Sequence, residues 1–321
     1  MIPKGRPKIQ STFELTPVSP FRLDLTVWTL RRRSHNVVDR WDGTTYRRVL
    51  PLPTGPVEVA ITQPAPETPR LLVAVAGQPV SATVRAVVTT ALERLLGLRI
   101  DLAKFYQFAA HDRRLGPLAQ HFQGMKPPRF ATVFEGVINA MACQQLTLTL
   151  GIHLLNRLAL AYGAAFGEGD ETVHAFPRPE DLARRSPADL REFGFSRQKG
   201  RAMIELAQSI DEGHLDLEDL ASLPDDEAVT RLSELHGVGR WTAEYVLLRG
   251  LGRTHIFPGD DVGARNNLQR WLRLVKPLDY EGVREVLSGW DGYGGLVYFH
   301  LLLDRLTVAG NLSEKDTEEL G

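Results

Sequence analysis

The N-terminal part of the chain alternates between hydrophobic and polar residues with the period of β-strands. In residues 21–27 every second side chain is apolar, as in a half-buried strand. Segments 35–40, 44–50, 57–61 and 71–75 carry the same signal, and Asp42 with Gly43 favours a tight hairpin turn between the first two of them. These patterns predict about five strands in roughly the first 80 residues.

A helix follows the predicted strands. Ser81 is a suitable N-cap, apolar residues then recur at helical spacing from Val84 to Leu95, and Gly97 ends the pattern. Strands followed by a helix define a small α+β unit. We therefore expect an N-terminal α+β domain, an antiparallel sheet with a helix, over residues 1–97.

Beyond residue 97 helical patterns replace strand patterns. The helical segments are residues 134–162, 179–185, 187–193, 197–210, 229–235, 239–249, 262–275 and 296–308. They predict an all-α domain of about eight to ten helices over residues 98–321, ending in the acidic tail 313–319. No repeat period of a solenoid is present.

The composition agrees with two folded domains and excludes several classes of protein. The 321 residues are 43% hydrophobic and 24% charged, as in globular proteins. The single cysteine, Cys143, excludes an intramolecular disulfide, a four-cysteine zinc site and a cysteine-ligated iron–sulfur cluster. Without a signal peptide or a membrane-spanning apolar run, we expect a cytoplasmic protein, associated with the nucleoid if bacterial. The net charge of -1 gives no basic signature of a nucleic-acid binder.

The most informative motif is LHGVGRWTAEY at residues 235–245. Gly237 and Gly239 permit a tight turn that leaves backbone N–H groups free at the start of the next helix. Such groups bind phosphates, although an ordinary helix-turn-helix corner has the same pattern. The sequence FPGDD follows at 257–261, where Asp260 and Asp261 are either helix caps or carboxylates facing a bound nucleotide.

Together these motifs resemble the helix-hairpin-helix DNA glycosylase superfamily, specifically its 3-methyladenine DNA glycosylase II (AlkA-like) branch. The resemblance extends to FEGVI at 134–138, CQQ at 143–145 and GFSRQKGRA at 194–202, and it covers residues 100–305. The branch often carries an N-terminal α+β domain. The resemblance therefore implies a DNA glycosylase acting on double-stranded DNA with damaged bases.

Carried over to this chain, the family's catalytic aspartate is Asp261, with Asp260 as a capping or helix-orienting residue. Cleavage of an N-glycosidic bond develops positive charge on the sugar, which one carboxylate stabilises. Bifunctional members have a lysine where this chain has Trp241, so the resemblance implies a monofunctional enzyme without lyase activity.

The resemblance also implies a base pocket and DNA contacts. The pocket residues are Trp241, Tyr245, Val262 and Leu302, of which Val262 and Leu302 replace aromatic residues common in this branch. Gln145, with Leu146 beside it, takes the wedge position that fills the gap left by an extracted base, although a solvent-facing helical residue is the alternative.

The hairpin supplies the remaining predicted contacts. The backbone of Gly237 and Gly239 and the hydroxyl of Thr242 are the predicted phosphate-binding groups, and Arg240 is a further predicted DNA contact. The carbonyls of Leu235 and Gly237 are a possible site for a monovalent cation. No tightly bound metal is expected, because the histidines have no metal-ligand spacing, and no cofactor is expected, because the chain has neither a phosphate-loop nor a dinucleotide-binding glycine motif.

Local charge supports DNA binding although the total charge does not. Seven arginines against four acids in residues 231–273 give +3 by subtraction, and Arg197, Lys199 and Arg201 form a second basic cluster. The leading hypothesis is a monomeric, monofunctional glycosylase for alkylated purines. The alternatives are a non-catalytic helix-hairpin-helix protein that binds damaged DNA, and a glycosylase for deaminated or exocyclic-adduct bases.

Overall fold

The computed structural model describes residues 9–290 and 292–312. The predicted acidic tail, residues 313–319, lies outside the described residues. None of the helices in the described part is long and apolar enough to cross a lipid bilayer.

The N-terminal part of the fold is built on a five-stranded antiparallel sheet. Its strands are β1 (Ile9–Leu15), β2 (Arg40–Trp41), β3 (Thr45–Leu52), β4 (Gly55–Thr62) and β5 (Leu71–Ala76), in the order β1-β5-β4-β3-β2. β3, β4 and β5 confirm the predictions for residues 44–50, 57–61 and 71–75. Segment 35–40 contributes only its last residue to the short β2, and β1 was not predicted.

Residues 23–27 form the beginning of helix α1 (Leu23–Arg31) and residues 21–22 lead into it, so the prediction of a strand there is wrong. Thr26 and Thr29 are fully buried, and their hydroxyls donate to the carbonyls of Arg22 and Leu25 at 2.8 Å. Because α1 is buried on nearly every side, it has no polar stripe from which a helical period could be recognised.

Helix α2 (Ala82–Leu96) covers one face of the sheet as predicted. The Ser81 side chain accepts a hydrogen bond from the Val84 amide at 3.2 Å, and Gly97 ends the helix in the left-handed region at φ 60°. Val88 and Leu92 are fully buried in the sheet core. The caps and the apolar spacing therefore agree, which is why the sequence prediction succeeded.

The rest of the described chain is helical apart from one short hairpin, as the predicted all-α domain requires. The helices are α3 (Ala103–Ala110), α4 (Leu115–His121), α5 (Val133–Cys143), α6 (Leu148–Tyr162), α7 (Pro179–Ala183), α8 (Pro187–Glu192), α9 (Arg197–Asp211), α10 (Asp225–Ser233), α11 (Arg240–Arg249), α12 (Val262–Leu272), α13 (Tyr280–Leu287) and α14 (Gly294–Val308). The predicted stretch 134–162 is divided into α5 and α6 at residues 144–147. The hairpin β6 (Ala165–Phe166) and β7 (Val173–His174) was not predicted.

Helix α1 belongs to two hydrophobic cores. Leu23 and Val27 pack in the core of the sheet, whereas Leu25 and Trp28 pack in a core built largely from α3, α4, α12 and α14. The domain boundary between residues 97 and 98 stays a prediction. The N-terminal unit contacts the helical part through α1, and the end of α1 lies beside the candidate site.

Candidate active site and DNA interface

The turn between α10 and α11 has the geometry of the predicted phosphate-binding hairpin. Gly237 has φ 79°, and a Cβ atom there would lie 2.9 Å from the Cβ of Ala202, so both backbone conformation and packing require glycine. Gly239 is the exposed N-cap of α11. The amides of Gly239, Arg240 and Trp241 donate to no acceptor in the described structure, so this helix start offers free donors.

Asp261 is the N-cap of α12, on the far side of the loop that follows α11. Its Oδ1 accepts a hydrogen bond from the Ala264 amide at 2.9 Å. Its Oδ2 accepts no hydrogen bond from any described residue. The helix start stabilises negative charge on this carboxylate, and the second oxygen is available to another group.

Asp260 has a separate role from its neighbour. It pairs with Arg240 at 2.7 Å, and the Arg240 guanidinium lies 3.7 Å from the ring centroid of Tyr280. The Tyr280 hydroxyl donates to Glu244 at 2.6 Å, and Glu244 also accepts from the Gly259 amide at 3.1 Å. Burial and the Glu244 carboxylate raise the pKa of Tyr280 to about 12. The four side chains hold the Asp261 loop against α11.

This geometry bears on two predictions. Of the two roles predicted for Asp260, capping or orienting the helix, the contacts favour the orienting role, because Asp260 pairs with Arg240 and Asp261 itself is the cap of α12. Arg240, predicted as a DNA contact, already binds a carboxylate and an aromatic ring. Its side chain is nevertheless 53% exposed, and its contact with DNA stays a prediction.

A cavity of about 740 Å³ opens beside Asp261. It brings together Asp261 and the four predicted base-pocket residues, Trp241, Tyr245, Val262 and Leu302. The volume lies within the range of small-ligand sites. The residues come from α11, α12 and α14, so the hairpin motif and the distant last helix meet here.

Aromatic rings form one wall of the cavity. The ring centroids of Trp241 and Tyr245, one helical turn apart, are separated by 5.6 Å. Tyr298 lines the cavity one turn before Leu302, and burial together with the Asp261 charge raises its pKa well above the usual value. The sequence analysis placed the expected aromatic position at Leu302 and missed Tyr298, although four residues separate them on α14.

Two arginines from the end of α1 also line the cavity, and the sequence analysis missed both. Arg32 is 3% exposed and ends α1 with φ 61°. Its guanidinium donates to the Tyr245 hydroxyl at 2.8 Å and to Asn139 Oδ1 at 2.7 Å. Arg33 follows it on the cavity wall. No local signal identifies these residues, because the side-chain partners of Arg32 lie 213 and 107 positions away in sequence and that of Arg33, Thr149, lies 116 positions away.

The predicted wedge residues lie in the break between α5 and α6, where Leu146 lines the cavity and Gln145 lines a neighbouring cavity that shares Trp241 and Asp261 with it. Gln145 is exposed with φ 55°, and Leu146 is 37% exposed. Gln144 connects this loop to the hairpin, because its Nε2 donates to the Gly237 carbonyl at 2.8 Å and to Thr242 Oγ1 at 2.9 Å. Lys199 holds the same loop by donating to the Gln144 carbonyl at 2.6 Å.

These bonds change the roles predicted for Thr242 and for the cation site. Thr242 is 1% exposed and its hydroxyl accepts from Gln144, so it lies behind the hairpin surface and not at a phosphate position. The Gly237 carbonyl also accepts from Gln144, and the Leu235 carbonyl accepts from the Val238 amide at 3.0 Å. Both carbonyls proposed as cation ligands therefore already accept one hydrogen bond, and because a carbonyl oxygen has a second lone pair the cation site stays a prediction.

The predicted basic regions are smaller than their sequence counts. In the cluster near α9, Arg201 pairs with Glu205 at 2.6 Å and Lys199 turns toward backbone carbonyls. Among the arginines of 231–273, Arg249 is fully buried and Arg253 pairs with Asp225. Counting charges along the sequence overestimated the free positive charge, because several of these cationic side chains are buried or already bound to other groups of the protein.

Comparisons with known proteins define the class. The sequence model of the HhH-GPD superfamily of base excision DNA repair proteins matches residues 138–291. The structure is similar to that of the 3-methyladenine DNA-glycosylase from Archaeoglobus fulgidus, with a TM-score of 0.80 and 25% identity over 92% of this chain and 99% of the other. Residues 138–291 of this chain therefore belong to the HhH-GPD superfamily.

Individual relatives share this class. A putative DNA-3-methyladenine glycosylase of Bacillus subtilis, YfjP, is 32% identical over 54% of this chain, and the match spans 58% of that relative. The DNA-3-methyladenine glycosylase of B. subtilis is 26% identical over 70% of this chain and 74% of its own length. The 8-oxoguanine glycosylase/lyase of Clostridium acetobutylicum, at 17% identity and a TM-score of 0.70, is similar in fold alone.

Proposed function

We propose that this chain is a monofunctional DNA glycosylase that extracts an alkylated purine of the 3-methyladenine type from duplex DNA and hydrolyses its N-glycosidic bond. The observation that carries the proposal is Asp261, whose Oδ2 is unbonded beside a cavity with aromatic walls. The relatives named as 3-methyladenine glycosylases support the same substrate class.

The proposed reaction uses Asp261 as an electrostatic group. As the bond between the base and C1′ breaks, the bonding electrons leave with the base and positive charge develops on the sugar. The Asp261 carboxylate stabilises that charge, and a water molecule adds to C1′ and loses a proton. The products are a free base and an abasic site. An alkylated purine already carries positive charge, so no strong general acid is needed.

The walls of the cavity suit a flipped base. Trp241, Tyr245 and Tyr298 offer ring faces and edges to an electron-poor purine. Arg32 orients the Tyr245 hydroxyl by donating to its oxygen. Gln145, exposed in the neighbouring cavity that shares Trp241 and Asp261, fills the gap in the base stack, while the free amides at Gly239 to Trp241 bind a backbone phosphate.

The absence of lyase activity is part of the proposal. None of the described residues that line the cavity is a lysine, and Trp241 has no amine with which to attack C1′. Lys199 donates its ammonium hydrogens to the carbonyls of Gln144 and Ala142. No candidate Schiff-base amine therefore faces the cavity among the described residues.

The test is release of free bases from methylated duplex DNA. We expect wild type to release 3-methyladenine or 7-methylguanine and to leave unnicked abasic sites, and Asp261→Asn to lose at least about a hundredfold in single-turnover rate. Asp304→Asn, on α14 and outside the cavity lining, is the matched control and should keep the wild-type rate. Activity of the Asp261→Asn variant equal to wild type would reject the site, and a borohydride-trapped complex would reject the monofunctional mechanism.

A glycosylase for deaminated bases is the second candidate. Val262 and Leu302 are aliphatic, and Arg32, Arg33 and Arg305 line the cavity against one carboxylate, Asp261. This positive charge favours a neutral lesion over a cationic one. Release of hypoxanthine in the same assay, without release of methylated purines, would replace the first substrate class with this one. Binding without any release would indicate a non-catalytic damaged-DNA binder.

A further inference from the structure

Besides its aromatic wall, the cavity has a basic wall that the proposed reaction does not use. Arg33 lies just after the end of α1, and Arg305 lies on α14. Both line the same cavity as Asp261, whereas residues 235–240 of the hairpin do not. The two cations thus lie apart from the predicted phosphate-binding turn.

Arg33 is held in position while part of its guanidinium stays free. Its Nη1 donates to the Arg32 carbonyl at 2.8 Å, and its Nε donates to Thr149 Oγ1 at 3.1 Å. Its Nη2 donates to no described residue. The exposed Arg305 forms no side-chain hydrogen bond or ion pair within the described residues. Each arginine therefore keeps donors for an external acceptor.

The charges at this wall are unbalanced. Arg32, Arg33 and Arg305 line the cavity against the single carboxylate of Asp261, a surplus of two positive charges (three minus one). Partial burial, together with the neighbouring charges of Arg32 and Arg305, lowers the pKa of Arg33. The positive charges of neighbouring arginines repel one another, and a bound anion reduces that repulsion.

We infer that Arg33 and Arg305 bind a phosphodiester of the DNA backbone beside the extracted nucleotide. This inference rests on the proposed function, because the nucleotide in the cavity determines where its phosphates lie. Every extracted nucleotide remains joined to two phosphates, and the hairpin amides bind one side of the lesion. Arginine forms bidentate bonds to phosphate, so this wall is suited to the other side. The N-terminal unit thereby contributes directly to DNA binding.

The test is the salt dependence of binding to duplex DNA that contains a tetrahydrofuran abasic analogue. For wild type, the logarithm of the association constant falls linearly with the logarithm of salt concentration. We expect Arg33→Gln and Arg305→Gln each to reduce that slope by about 0.9, the value for one lost phosphate contact. Arg33→Lys keeps the charge and should restore most of the slope.

Arg85→Gln is the matched control, because Arg85 is an exposed arginine of α2 outside the cavity lining. It should bind and react as wild type does. Wild-type slopes in both the Arg33→Gln and the Arg305→Gln variants would overturn the inference even if base release is normal. Reduced slopes in a protein that releases no base would retain this inference and reject the proposed catalysis.

Titration with inorganic phosphate is a further test. If free phosphate saturates this wall while the salt dependence of DNA binding is unchanged in the variants, the wall binds a free anion and the inference is overturned.

Discussion

At the scale of single residues, Asp261 divides two tasks between its two oxygens. Oδ1 caps α12 and fixes the side chain, while Oδ2 stays unbonded beside the cavity. A carboxylate held in this way needs no reorganisation when positive charge develops next to it. Its neighbour Asp260 supports the same loop through Arg240 and does not line the cavity.

Gly263 gives a sharp test of this positioning. A Cβ atom at Gly263 would lie 3.2 Å from Asp261 Oδ1, so Gly263→Ala must displace the carboxylate by a few tenths of an ångström. We expect the single-turnover rate of base release to fall about tenfold, because small misplacements of a catalytic group are costly. The thermal midpoint should not fall, since alanine suits a helix better than glycine.

The matched control is Gly282→Ala, because Gly282 lies in the first turn of α13, where a Cβ would lie 3.1 Å from the capping carboxylate of Asp279. It introduces the same crowding outside the cavity and should leave the rate unchanged. Equal rate losses in both variants would show that the effect is not specific to Asp261.

At the scale of elements, α2 and α1 show what sequence patterns reveal. The α2 helix has one apolar face, a Ser81 cap and a Gly97 end, and each signal agrees with the others. The α1 helix is buried on nearly every side, so its alternating residues imitated a strand. A hydrophobic pattern reveals an element's structure only when one face of that element is exposed to solvent. Such a pattern is misleading for an element that is buried on almost every side.

The candidate site follows the same rule. One contiguous motif contains Trp241 and Tyr245, and Asp261 lies close to it. These residues could therefore be identified because the motif resembles that of a known family. Arg32 and Arg33 reach the cavity only because α1 packs against the helical part, and Tyr298 lies one turn from the expected position. Contacts between distant segments depend on tertiary packing, which no local pattern encodes.

We predict that the loop between α5 and α6 and the hairpin between α10 and α11 act together in DNA binding. Gln144→Ala removes the bonds to Gly237 and Thr242, which join the wedge loop to the hairpin. We expect the ratio of affinities for abasic and undamaged duplexes to fall about fivefold, in line with the loss of about 1 kcal/mol of hydrogen bonding. Fluorescence anisotropy on both duplexes measures this ratio.

Gln208→Ala serves as the comparison, since Gln208 also donates from its side chain to a backbone carbonyl, that of Ala183, but lies outside both loops. If Gln144→Ala weakened binding to both duplexes equally, Gln144 would act on general affinity and not on recognition of the gap.

At the scale of the whole molecule, His300 makes stability depend on pH. It is fully buried in the core that α14 shares with α1, and burial lowers its pKa to about 4. Below pH 6.5 the unfolded chain binds a proton that the folded chain does not. The free energy of unfolding therefore falls as pH drops from about 6.5 to about 4, by about 3 kcal/mol from this group.

Urea unfolding of wild type and His300→Leu at several pH values isolates that contribution, because the carboxylates are common to both proteins. We expect the stability difference between them to shift in favour of the variant as pH falls through this window. A difference that stays constant from pH 7 to pH 4 would contradict the assignment, whatever the absolute stability of the variant.

The placement of α1 in two cores also orders events during synthesis. Leu25 and Trp28 leave the ribosome early, but Val297 and Phe299 of α14, in the same core, are made near the end. Until then the nascent chain exposes a strip of apolar surface that its own sheet cannot cover, a state in which chains associate with one another or with chaperones. The cavity is completed at the same late moment, because α14 supplies part of its lining.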